Sequence, residues 1–134
     1  MTYLLDTSVY SQPLRNKPVI AALEHWSVAG DGRCRLSIVS HAEILFGLHW
    51  ENNEARWRRY RELLEGRLQT VATDGVVWEK FAVCKARQQQ LGQPVADLDL
   101  LIAATAMVNS FTVATLNRQD FSRIEGVAWE DWHA

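Results

Sequence analysis

The chain is poor in the residues that mark special architectures, with two Cys, three Pro and seven Gly among 134 residues. Two cysteines cannot build a disulfide framework. Cys34 and Cys84 also lie far apart, with no His or Cys at metal-ligand spacing, which predicts two reduced thiols packed in the core and no zinc site. The scarcity of Gly and Pro excludes collagen-like and low-complexity chains. No charge of one sign dominates: 14 Lys and Arg face 16 Asp and Glu, for a formal net charge of -2. Affinity for nucleic acid must therefore come from a local patch. The longest apolar stretch, Leu100 to Val108, is interrupted by Thr105 and falls far short of the roughly 20 residues that cross a bilayer. The first residues meet Asp6 without a basic n-region, so the expectation is a cytoplasmic protein with no membrane span and no secretory signal.

What the sequence does have is apolar content, 48% hydrophobic against 22% charged, enough for one folded domain over residues 1–134. Tyr3-Leu4-Leu5 reads as a buried strand stopped by Asp6-Thr7-Ser8. A helix follows Asn16-Lys17-Pro18 and stops at Gly30-Asp31-Gly32, and Cys34 to Val39 reads as a second strand with Ser40 as the cap of the next helix. Glu54 to Leu68 is predicted helical, Thr70 to Ala72 a short strand, and Asp74 the cap of a helix ended by Gly92-Gln93-Pro94. A helix opens near Asp97 or Asp99, Phe111 to Ala114 is a buried strand, and Val127 to Trp129 a last edge strand. Apolar strands alternating with helices predict an α/β fold, a three-layer α/β/α sandwich with a central, mostly parallel sheet.

Ligands of such sheets sit beyond the carboxyl ends of the strands. Four separate segments bring a carboxylate there: Asp6 after the first strand, Glu43 in the first turn after the second, Asp99 opening a helix, and Asp120 past the strand ending near Ala114. Two unit charges about 5 Å apart repel by about 3 kcal/mol at an effective dielectric of 20, and four acids contain six such pairs. Convergence therefore demands either protonation or a divalent cation, and oxygen-only ligands suit Mg²⁺ or Mn²⁺. Such an ion is suited to hydrolysis of a phosphodiester. Asp97, two residues before Asp99, is more at home at a helix start but leaves the third ligand open between the two.

Four blocks carry a family resemblance: Leu4-Leu5-Asp6-Thr7-Ser8-Val9, Ser40-His41-Ala42-Glu43-Ile44-Leu45-Phe46-Gly47, Asp99-Leu100-Leu101-Ile102-Ala103-Ala104-Thr105-Ala106 and Thr115-Leu116-Asn117-Arg118-Gln119-Asp120-Phe121. In their order and spacing the chain resembles, over nearly its whole length, the PIN-domain ribonucleases and among them the VapC-type toxins of bacterial toxin–antitoxin modules. The resemblance implies a PIN-like fold and an acidic quartet of Asp6, Glu43, Asp99 and Asp120, with Thr7, Ser8 and Asn117 in support. It implies Mg²⁺- or Mn²⁺-dependent endoribonuclease activity on RNA, structured RNA such as tRNA included. It also implies a homodimer restrained by a cognate antitoxin protein.

The densest basic stretch, Arg56, Arg58, Arg59 and Arg61 with Arg67 beyond, is a candidate RNA contact with Trp57 and Tyr60 among the arginines. Its plainer reading is a solvated helix face with Arg58–Glu62 and Arg61–Glu65 pairs. His41 and His49 have neither zinc spacing nor a nucleophile partner. Two other functions compete: a non-catalytic module binding RNA or protein, and a phosphatase using Asp6 as nucleophile. The second lacks the Asp two residues on that such enzymes use as general acid, since position 8 is Ser8.

Overall fold

The computed structural model describes residues 1–134. Its centre is one five-stranded sheet, every pairing parallel, built from β1 (Tyr3–Leu5), β2 (Cys34–Ser37), β3 (Gln69–Val71), β4 (Thr112–Thr115) and β5 (Trp129–Asp131) in the order β3-β2-β1-β4-β5. Seven α-helices accompany it: α1 (Thr7–Tyr10), α2 (Ile20–Ala29), α3 (Ile38–Glu51), α4 (Glu54–Leu63), α5 (Gly75–Gln90), α6 (Asp97–Asn109) and α7 (Arg118–Phe121). Parallel strands need crossovers, and helices in those crossovers cover both faces.

That coverage explains why Leu4 and Leu5 are consecutive and both fully buried. Successive strand residues point to opposite faces, so each leucine enters a different core. Leu5, in register with Leu36 and Ala114, packs in a cluster with Tyr10, Trp26 and Trp132. Leu4, beside Val113, packs with Leu100, Ile102 and Phe121. Both cysteines are free and buried. No helix is long and apolar enough to cross a membrane.

One departure from the expected elements is at the second strand. It ends at Ser37, whose Oγ accepts from the Val39 N–H at 3.1 Å and so starts α3 three residues before the expected Ser40. A satisfied cap outweighs the mild helix reluctance of Ile38 and Val39. Ser40 is instead fully buried inside the helix, its hydroxyl without a partner, and Glu43 falls in the second turn. Helix α4 stops at Leu63 and not at Leu68, and the expected Arg58–Glu62 and Arg61–Glu65 pairs do not form. Arg56 pairs with Glu51 and Arg67 with Asp31, each reaching beyond α4. Asp74 caps α5 as expected, accepting from Val77 N–H.

Leaving β1, the chain turns one way to β2 and β3 and the other way to β4 and β5. The order therefore reverses between β1 and β4, which opens a crevice at the carboxyl ends of these two strands. Asp6 follows β1 directly, and its N–H donates to Ala114 O at 3.0 Å, tying the crevice floor to β4.

Candidate active site

Asp6 occupies the floor of that crevice at 3% exposure. It is the cap of α1, its Oδ1 accepting from the Val9 N–H at 3.1 Å and from Ser8 Oγ at 2.6 Å, while Oδ2 accepts from Thr115 Oγ1 at 2.5 Å. Burial pushes the Asp6 carboxyl above the usual carboxylate range, and the Ser8, Thr115 and Val9 hydrogen bonds pull the other way. A carboxylate offers about four lone-pair directions, so three donors leave one free. Ser8 Oγ also accepts from the Leu116 N–H at 3.0 Å, and Thr115 Oγ1 from the Asn117 N–H at 2.8 Å. The two hydroxyls thereby tie the Asp6 carboxylate to α1 and to the carboxyl end of β4.

Glu43 arrives from α3 and is held through Oε1 by Thr7 Oγ1 at 2.6 Å. Asp120, in α7, accepts at Oδ2 from Asn117 Nδ2 at 2.8 Å. Asp99, in the first turn of α6, has its carboxyl raised to about 7 by burial first, then by a hydrogen bond with Asp120, then by the charges of Asp120, Asp6 and Glu43. The charges of the other three acids therefore all reach Asp99.

Asp97 does not join them. It is exposed, its carboxylate 3.0 Å from Lys85 Nζ, and it is the first residue of α6 with no side-chain capping bond. One helical turn places positions 97 and 99 on different sides of α6, so only Asp99 faces the other acids. Asp6 is also badly placed as a phosphatase nucleophile: it is buried and both of its oxygens already accept hydrogen bonds. Thr115, which the residue pattern does not single out, bonds Asp6 directly while fully buried. Its one signal is a polar side chain closing an otherwise apolar strand beside the Asp6 crevice.

No three His, Cys, Asp or Glu side chains stand close enough to enclose an ion unaided. Mg²⁺ does not require that, because it keeps several waters and is commonly bound by one or two carboxylates. The donors here are all hard oxygens, Asp6 retains a free lone-pair direction, and Glu43 Oε2 accepts no protein hydrogen bond. The residues fit a hydrated Mg²⁺ or Mn²⁺ and do not fit zinc. The largest cavity, about 620 Å³ beside Cys84, Met107 and Phe111, lies elsewhere, near the start of β4, and has no comparable set of acids.

Of the predicted RNA contacts, Arg56, Arg58 and Arg59 border clefts next to this site. Arg61 stands over the Trp57 ring at 5.6 Å, and Arg67 over Trp26 at 4.2 Å. Trp132 and Tyr60 are core residues, whereas Trp78 is about half exposed.

The chain is similar to known proteins over nearly its whole length. Toxin FitB of Neisseria gonorrhoeae is 30% identical over 141 residues, covering 97% of this chain and 98% of its own. The tRNA(fMet)-specific endonuclease VapC of Salmonella typhimurium is 26% identical over 132 residues, with 98% of both covered. The crystal structure of DNA-bound VapBC from Salmonella typhimurium superposes with a TM-score of 0.83 at 27% identity, again over 98% of both chains. The family model of the PIN domain matches residues 3–127, from β1 through the loop before β5 and across all four acids, and the chain belongs to the PIN-domain family.

Proposed function

We propose that this chain is a single nuclease domain, residues 1–134, acting as a Mg²⁺- or Mn²⁺-dependent endoribonuclease and as the toxin of a toxin–antitoxin pair. The observation that carries the reading is Asp6 buried at the reversal point of a parallel sheet, with Glu43 held beside it by Thr7 and with Asp99 pushed up to about 7 by burial and by the charges of Asp120, Asp6 and Glu43. Asp6, Glu43, Asp99 and Asp120 would hold the cation, some directly and the rest through its waters. When bound, the ion supplies Lewis-acid polarisation of a phosphate and of water.

The protein's own part is to aim these oxygens. Thr7 fixes the Glu43 rotamer, Ser8, Thr115 and the Val9 N–H fix Asp6, and Asn117 fixes Asp120. Hydrogen-bonded partners of this kind are worth about 10- to 100-fold in metal affinity or activity. Burial and the charges of the neighbouring acids raise the Asp99 carboxyl to about 7, so a cation held there would offset the charge that crowds it. Substrate phosphate then approaches from the open side of the crevice.

Structured RNA is the proposed substrate class, with tRNA the first to try, since the Salmonella relative is named for one. The antitoxin is proposed to restrain the enzyme by placing an Arg among the four acids, where a guanidinium meets the same unbalanced charge as the cation. A second copy of the chain is proposed to cover the exposed Phe46–Trp50 stack on α3, whose rings lie 6.3 Å apart at 68% and 79% exposure. The test is cleavage of labelled total tRNA by purified protein with Mg²⁺, with Mn²⁺ and with EDTA, beside Asp6→Asn and Asp99→Asn. Cleavage should need the cation and fall at least 100-fold in each variant. A folded Asp99→Asn protein that cuts at the wild-type rate would overturn the reading.

A further inference from the structure

Two clefts adjoin on the Glu43 side of the site. One, about 190 Å³, begins at Thr7 and Glu43 and runs along α3 past Gly47 to Glu51 and Arg56. The other, about 350 Å³, continues between the Gln12–Leu14 turn and α4, past Arg58 and Arg59. They share Leu14 and Arg56, so the two clefts adjoin there and together reach from Glu43 to the surface of α4.

Its walls are built to present guanidinium groups. Arg59 is anchored by Nε to the Pro13 carbonyl at 2.8 Å, and its terminal nitrogens make no hydrogen bond to the protein. The buried Arg56 Nε stands 3.2 Å from Glu51 Oε2 at an angle that makes no hydrogen bond, and its terminal nitrogens are likewise unengaged. Arg15 touches only Ser11 Oγ, at 3.4 Å. Arg56 and Arg59 are three residues apart on α4 and so share a face. Fixed forks with free outer N–H groups are suited to phosphate oxygens. At Gly47 the groove wall is open, because a Cβ built there would meet nothing within 4 Å.

We propose that this groove is the substrate track: single-stranded RNA flanking the cleaved bond leaves the crevice over Thr7 and Glu43, passes Gly47, and gives its phosphates to Arg15, Arg56 and Arg59. The proposal rests on the nuclease reading above and adds where the rest of the strand lies. The walls carry Arg15, Arg56, Arg58 and Arg59 against Glu43, Glu51 and Glu62, so the arginine forks favour an anionic occupant, and the strand being cut is tethered at the Glu43 end. Arg61, over Trp57, lies off the track.

The test measures binding of a fluorescein-labelled, mixed-sequence 12-nucleotide RNA by anisotropy, in an Asp99→Asn background with Mg²⁺, across a salt series. Each phosphate contact on a single strand contributes about 0.7 to the slope of log affinity against log salt. Arg56→Gln with Arg59→Gln should therefore lower the slope by about 1.4 and weaken binding about 25-fold at 0.1 M salt. Arg33→Gln, at the amino-terminal end of β2, should leave the slope unchanged. Gly47→Leu improves helix propensity on α3, so it should bind RNA more weakly while melting no lower than its parent. Wild-type slope and affinity in both the double-arginine and Gly47 variants would overturn the proposal and leave the groove for a protein segment. Cutting by the Asp99→Asn parent would count against the nuclease reading alone, since the binding differences are read independently of turnover.

Discussion

Removing the Asp99 charge should make the metal-free protein more stable at neutral pH, at the cost of its chemistry. Asp99 titrates near 7 in the fold against an ordinary 3.8. Between pH 4 and 7 the folded chain thus binds more protons at this site than the unfolded chain, so stability falls as pH rises through that window and the whole loss is present above it. Three pKa units at 1.36 kcal/mol each set a ceiling of about 4 kcal/mol. Asp99 is partly solvated, so screening reduces this to on the order of 2 kcal/mol. For a chain of this size that is about 7 °C in Tm. Asp6, raised by burial, pushes in the same direction. Urea unfolding followed by circular dichroism in EDTA, at half-unit steps from pH 4 to 8, should show wild-type stability declining across the window. The Asp99→Asn curve should be flatter and lie above wild type at pH 7.5. Asp97→Asn removes a carboxylate two residues away that is paired with Lys85, and should keep the wild-type slope. Parallel wild-type and Asp99→Asn curves would refute the claim that these acids crowd one another.

Saturating Mg²⁺, at 100 times its Kd, should stabilise the wild type by about 2.7 kcal/mol, read as a Tm rise of about 9 °C that Asp6→Asn abolishes. Thr115→Val removes one of three donors to a buried carboxylate, and should weaken Mn²⁺ binding in titration calorimetry by about 10- to 100-fold while the circular dichroism spectrum stays native. Trp26→Ala loses a buried indole, its 2.8 Å bond to Asp31 and the Arg67 stack, and should lower unfolding stability by about 3 to 5 kcal/mol in urea. Asn53→Ala deletes the cap whose Oδ1 accepts from the Ala55 and Arg56 N–H groups, and should lower stability by about 1 kcal/mol.

Much of this arrangement is legible from residue order. Each acid lies beside an apolar stretch that can only be a strand or buried helix, and a parallel sheet gathers the residues just past its strands at one edge. The Asp74 cap and the stop at Gly92 are local signals, decided by one side chain and by one left-handed φ of 69°. Local signals also misled. Ser37 and Ser40 are equally good caps by type, and the choice fell to Ser37 because β2 stays paired with β3 only as far as Ser37↔Val71. Arg58 and Arg61 have acids at helical spacing but form no ion pair with them, while Arg56 reaches Glu51 at the end of α3 and Arg59 the Pro13 carbonyl, a partner supplied by the packing of α4 against the Gln12–Leu14 turn.

The amino-acid order alone determined the layers of the fold, the end of the sheet where chemistry would lie and the types of side chain available there, because apolar periodicity and strand-terminal acids are properties of short segments. Which carboxylate of the pair Asp97 and Asp99 faces the others, that Thr115 holds Asp6, and that a groove of free guanidinium groups opens beside Glu43 were decided only by tertiary structure. These depend on distances between segments up to 109 residues apart, and such distances exist only once the crossovers have brought β1 and β4 side by side.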